Sequence, residues 1–103
     1  MNHVSLIGRM EGHPVAGTMN GGKGCARFRL ITQQSVIDEQ GKRRETKQKH
    51  DLYAWGKWHQ LLNEVGQPDL KVAVEGKLVN RYVRWKGQLL KITEIEVNDL
   101  VLM

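Results

Sequence analysis

Cysteine is almost missing from this chain: Cys25 stands alone among 103 residues. No intramolecular disulfide can form, no Cys/His cluster has zinc spacing, and a reducing cytoplasm is the expected compartment. Nor does any apolar run approach the roughly 18 residues that span a bilayer, and the N-terminus lacks the apolar stretch of a signal peptide, so no membrane partner is expected. His3, His13, His50 and His59 are scattered without the spacing of a helical metal site, which leaves no metal or other cofactor to expect. Acidic charge is the scarcer sign, with 11 Asp and Glu against 16 Lys and Arg, and the net charge of +5 favours a polyanionic partner. Aromatics make up only 6% of the chain, so the positions of its three tryptophans and two tyrosines carry information. The length fits one domain over residues 1–103 with a single small core.

What is present reads mostly as strands. Residues 2–9 alternate weakly, with Val4 and Leu6 on one side, and predict a first strand. Gly12, Pro14, Gly17, Asn20, Gly21, Gly22 and Gly24 then crowd one segment and predict a loop. Within that segment, Gly21-Gly22-Lys23-Gly24 lacks the full spacing and following helix of a phosphate loop and reads as a turn. Residues 25–32 alternate cleanly, sending Ala26, Phe28 and Leu30 inward and Arg27, Arg29 and Ile31 outward.

From Asp38 to Lys49 there is no apolar residue, and Gly41 marks the turn of an extended polar hairpin. Its basic residues are Lys42, Arg43, Arg44, Lys47 and Lys49. In the third strand His50, Leu52 and Ala54 share an inner face, which leaves Tyr53 and Trp55 among charges on a face expected to be wet. Trp58, Leu61, Leu62 and Val65 have helical spacing, and Gly66 with Pro68 ends that helix. In the fourth strand Val72, Val74 and Leu78 point inward and Lys77, Val79 and Arg81 outward, with a bend at Gly76. A second basic hairpin tip follows, where Tyr82 and Trp85 interleave with Arg81, Arg84 and Lys86 before Gly87. The last strand, from Leu89 to Met103, changes phase between Ile92 and Ile95 and again between Val97 and Leu100, which predicts a bulge.

The expected fold class is therefore all-β: a five-stranded OB-fold barrel with one short helix between strands 3 and 4, a scaffold that often binds oligonucleotides. Further residues sharpen this. The segments Asn2–Arg9, Ala26–Thr32, Trp55-Gly56-Lys57, Val74–Arg81 and Thr93-Glu94-Ile95 occur in an order and register that resembles the bacterial single-stranded DNA-binding protein family across the whole chain.

That resemblance implies sequence-tolerant binding of single-stranded DNA in replication, repair and recombination, as a non-enzymatic homo-oligomer, dimer or tetramer, at the bacterial nucleoid. It also implies that bases stack on aromatics while cations follow the phosphates, and it puts Trp55 at one of the family's stacking positions. Other family aromatic positions fall at Val36 and Lys49 and near Val83, so stacking is expected to have moved to Tyr53, Tyr82 and Trp85. Trp55 as a partly buried barrel residue or an oligomer contact stays open beside the stacking role, and Trp58 is assigned to the core. The phosphate-contacting pool is Arg27, Arg29, Lys42, Arg43, Arg44, Lys47, Lys49, Lys57, Lys77, Arg81, Arg84 and Lys86. Glu94 and Glu96, two apart on one strand face, read as ion-pair partners of lysines.

The sequence ends in an apolar strand rather than in the flexible linker and acidic tip of replicative family members. A tailless accessory protein, like the primosomal replication protein of the same fold, is thus the alternative, holding other replication or repair proteins with weak, charge-driven nucleic-acid binding. A cold-shock-like RNA-binding protein is disfavoured, because the aromatic-rich strand motifs of that class are absent.

Overall fold

The computed structural model describes residues 1–18 and 21–103. Strands β1 (Val4–Thr18), β2 (Gly24–Ile37), β3 (Arg43–Trp55), β4 (Lys71–Trp85) and β5 (Gln88–Leu102) close into a barrel in the order β1-β2-β3-β5-β4. Helix α1 (Lys57–Val65) lies between β3 and β4. All strand pairs are antiparallel except β3 and β5, which run parallel where Leu52 meets Ile95 and Tyr53 meets Glu96. This is the expected OB-fold barrel. Among the described residues no helix is long and apolar enough to cross a membrane.

The first strand does not end at residue 9, and the loop expected over Gly12, Pro14 and Gly17 is strand. Its first part, Val4 to Arg9, pairs with β4, while Arg9 to Thr18 pairs with β2. Between Glu11 and Val15 the register jumps, so that Gly12, His13 and Pro14 together face Phe28. Gly12 has φ 77° and Pro14 has no N–H to offer a ladder, so both suit a bulge that bends one strand between two partners. The composition of a turn and of a barrel corner is the same. Gly21 and Gly22 do form the expected turn, Gly24 opens β2, and Asn20 lies outside the described residues.

Alternation builds the core as read. Ala26, Phe28, Leu30, Leu52, Ala54, Val72 and Val74 are buried, joined by Met10, Ile95, Val97 and Leu100. Leu62 of α1 is fully buried against them, with Trp58 and Leu61 packed beside it, so the helix plugs the core. Burial of one such leucine stabilises the fold by about 1.5–3 kcal/mol. His50 faces inward, half-buried, with its Nε2 3.0 Å from Thr32 Oγ1.

Leu78 keeps the expected inner pleat position, opposite the buried Ile95, but is 50% exposed. The strands cross so closely at Gly76 that an added Cβ would lie 2.0 Å from the Glu96 carbonyl oxygen. Leu78 lies two residues past the end of the β1–β4 pairing at Val4 and Gly76, and its backbone is bonded both ways by the Asn2 side chain at 2.9 Å. The bulge predicted in the last strand falls at Asn98, since Val97 pairs with Gly76 and Asp99 with Glu75. The earlier change of phase needs no bulge, because pairing is regular there and Ile92 shares the outer face with Glu94 and Glu96.

Candidate nucleic-acid interface

One outer face gathers side chains from four strands. Arg27 on β2 pairs with Tyr53 on β3, Tyr53 with Glu96 on β5, and Glu96 with Lys77 on β4. Trp55 and Glu94 occupy the same outer face two residues from Tyr53 and Glu96, and Arg81 four residues from Lys77. The indole of Trp55 is 40% exposed. Its Nε1–H donates to Glu96 Oε1 at 3.0 Å, and the Lys23 ammonium sits 5.0 Å from the ring centroid. Glu96 also holds Lys77 Nζ at 3.5 Å. The ring's polar edge is thus tied down while part of its surface stays open to solvent.

Beside it lies a buried carboxylate. Glu94 is 4% exposed and accepts Arg27 Nε at 3.2 Å on one oxygen and Arg81 Nε at 2.6 Å on the other. The pairing with lysines expected from sequence holds for Glu96, whereas Glu94 takes arginines. Arg27 in turn lies 5.9 Å from the ring centroid of Tyr53.

Tyr53 requires a correction. It shares Trp55's face, as the alternation says, but that face is not wet at its position: the ring is only 7% exposed beneath Arg27. Burial, and next the nearby charges of Glu96 and Glu94, push its phenol pKa up from 10.0. Tyr53 is a floor for the arginine rather than an open platform.

The two ribbons leaving the barrel differ from this face. At the tip of the β2–β3 arm Asp38 Oδ1 accepts the N–H groups of Gln40 and Lys42 at 3.0 and 2.9 Å, and its Oδ2 accepts Arg44 Nε at 2.9 Å. Those bonds, Lys42's first and Arg44's next, hold the Asp38 carboxyl below its ordinary value. Lys42, Arg43 and Lys47 are exposed and form no ion pair among the described residues. On the β4–β5 arm Trp85 and Tyr82 are exposed, with Lys86 Nζ 4.5 Å from the Trp85 ring centroid. Alternation puts Trp85 on the face of Lys77 and Arg81 and puts Tyr82 and Arg84 on the opposite one, so the two hairpin aromatics do not form one surface.

Other members of the basic pool meet acids or lie apart. Arg29 binds Asp51 at 3.0 Å and Glu11 at 3.7 Å, and Lys49 binds Glu11 at 3.1 Å, which makes a charge-balanced corner. Lys57 at the start of α1 covers Trp58 instead. Trp58 packs against the core as assigned and donates to the Asn98 carbonyl at 3.2 Å. Val36 and Val83 leave aliphatic surface at two positions where the resemblance places aromatics. Lys23 was absent from the sequence-derived pool, since only the pairing of Cys25 with Trp55 brings the glycine turn over the indole. Among the described residues no group of His, Cys, Asp or Glu could hold a metal ion.

A model described as the single-strand binding protein family matches residues 1–103. Among solved structures, the Plasmodium falciparum SSB complex with ssDNA superposes with a TM-score of 0.87 at 27% identity, covering 100% of this chain and 95% of that one. A deletion mutant of the single-stranded DNA binding protein from Thermus aquaticus gives 0.87 at 22% identity, and this chain spans 50% of its length. The small single-stranded DNA-binding protein from Streptomyces coelicolor gives 0.74 at 18% identity, over 98% of this chain and 93% of that one. The last two show a common fold.

Proposed function

The chain belongs to the single-strand binding protein family, and we propose that it holds single-stranded DNA across the face from Trp55 past Arg27 and Arg81 to Trp85. Binding single-stranded DNA is the family's function, with general roles in replication, repair and recombination, and the protein is a binding protein rather than an enzyme. One observation carries the reading: Trp55 is anchored by its indole N–H, open to solvent on part of its ring and flanked by the Lys23 ammonium and, through Glu96, by Lys77. A base stacked on such a ring is worth about 1–3 kcal/mol whatever its identity, which gives sequence tolerance. Residues 1–103 act as one binding domain, and in a bacterial cell its place is the nucleoid, where single strands are exposed.

We further propose that the protein works as a homo-oligomer, a dimer or a tetramer. In support, Ile7 pairs with Ala73 and Ala73 with Val101 across β1, β4 and β5, and both Ile7 and Val101 are more than half exposed. Sedimentation at high concentration should show a species larger than the 11.8 kDa monomer, and Ile7→Lys should shift it to the monomer. A monomer throughout would remove this part.

The test of the strand reading is a titration of intrinsic tryptophan fluorescence with oligo-dT at low and high salt, against a duplex of equal charge. Strong quenching by oligo-dT that survives salt is the expected result. A second reading, an accessory module holding replication or repair proteins with weak charge-driven binding, is favoured by Val36, Lys49 and Val83 at aromatic positions. It predicts weak binding, erased by salt and shared with the duplex.

A further inference from the structure

Burying a carboxylate is costly unless it is paired, and breaking such a pair leaves a stranded charge. Glu94 is the buried charged side chain among the described residues, and it lies on the face assigned above to the strand. Its partners come from far along the chain, Arg27 by 67 residues and Arg81 by 13, so the barrel closure itself assembles the cluster. Both arginines bind the carboxylate side-on through Nε, one to each oxygen. That geometry leaves the terminal guanidinium nitrogens outside the pair. Of these, Arg27 Nη1 points to Cys25 Sγ at 3.5 Å. The arginine side chains remain 36% and 42% exposed. Two forks are therefore gripped from below and open above, and Arg27 is braced further by the Tyr53 ring.

On charge alone, a glutamate here opposes a polyanion. Its geometry has the reverse effect, because a long side chain ordered before binding does not lose that freedom at binding. We propose that Glu94 is a positioning residue of the strand site: its buried carboxylate holds Arg27 and Arg81 as a pre-set guanidinium pair that receives a backbone phosphate. Paired donors in a fixed fork geometry suit phosphate oxygens better than two independently moving cations do. This inference rests on the strand reading given above.

The sign of one measurement separates geometry from charge. Oligo-dT affinity is measured at fixed salt for the wild type, Glu94→Gln and Glu94→Asp, each checked by thermal melting. Glu94→Gln removes the opposing charge, and Glu94→Asp keeps the charge but shortens the reach. Positioning predicts that both weaken binding, by roughly two- to tenfold for each arginine released. The tryptophan quench at saturation should stay intact, since Trp55 is held by Glu96. It also predicts that neither change has a further effect in an Arg27→Ala/Arg81→Ala background, because Glu94 acts through those two residues.

If Glu94→Gln does not fold, Glu94→Asp carries the prediction. If neither folds, Arg81→Lys does, since it keeps all charges but loses the fork and should weaken binding in the same range. Tighter or unchanged binding in the folded variants would overturn the proposal and leave the strand reading standing. A wild type that oligo-dT does not quench would remove the strand reading itself.

Discussion

On the barrel face Arg27 and Arg81 share the buried carboxylate of Glu94, and Lys77 and the Trp55 indole share Glu96. On the β2–β3 arm, Lys42, Arg43 and Lys47 stand in solvent with no acid attached among the described residues. Both regions look basic in sequence, yet they make different contributions. The face is ordered before any ligand arrives and gives direction: a fixed ring and fixed forks. The arm contributes solvated charge, which acts through release of condensed counterions and is screened by salt. A strand lying across both would take its geometry from the barrel and much of its salt dependence from the arm.

The largest expected effect comes from the face. Trp55→Ala should weaken oligo-dT binding by about 1–3 kcal/mol while leaving the slope of log affinity against log salt unchanged. A changed slope would mean that the indole's neighbours, Lys23 and Lys77, were contributing through charge and that removing the ring released them. Next comes the arm. Arg43→Ala should lower that slope by about 0.7, the value for one phosphate contact on a single strand. Adding Arg44→Ala should lower it by less, because Arg44 is already neutralised by Asp38 at 2.9 Å. Equal slope changes from the Trp55 and Arg43 variants would erase the division between acid-paired face and solvated arm.

The parts of this division differ in how far sequence reveals them. Strand β2, the helix over Lys57–Val65 and both hairpin tips follow from period and turn chemistry, which are local. Glu94 could be seen as an outward acid beside Glu96, but its bridging of two arginines depends on β2 and β4 being brought together by strands that lie between them in the sheet. No local pattern encodes that register. Tyr53 shows the same limit in another form: alternation found its face, while its burial comes from an arginine on the neighbouring strand. Gly12 and Pro14 misled for a different reason, since a bent strand and a loop need the same residues. Leu78 keeps its inner position but is left exposed because β1 stops pairing with β4 two residues before it, and a period says nothing about where a neighbouring strand ends.

Acid and alkali should also separate the two regions, with smaller effects. At the face, burial raises the Tyr53 phenol above 10.0, so the unfolded state releases its proton first. The stability this gives is whole below pH 10 and is lost as pH rises through the native value. Alkaline melts should therefore fall off less steeply in Tyr53→Phe than in the wild type, and identical profiles would show that the ring is not sealed under Arg27.

At the arm the sign reverses. Asp38 has its pKa lowered from 3.8, first by the Lys42 N–H and next by Arg44, so the unfolded chain takes up the proton first as pH falls. The stabilisation by Asp38 is complete above that ordinary value and disappears as pH drops through the lower native one. Because the turn is exposed, salt and solvent screen this effect, and it should be the smallest of the set. Melting the wild type and Asp38→Ala side by side from pH 6 down to pH 2 should show two curves that converge toward acid. A gap that stayed constant to pH 2 would mean that the turn is held by the arm's cross-strand ladder rather than by the Asp38 carboxylate. Lys42 and Arg43 would then be presented by backbone pairing alone.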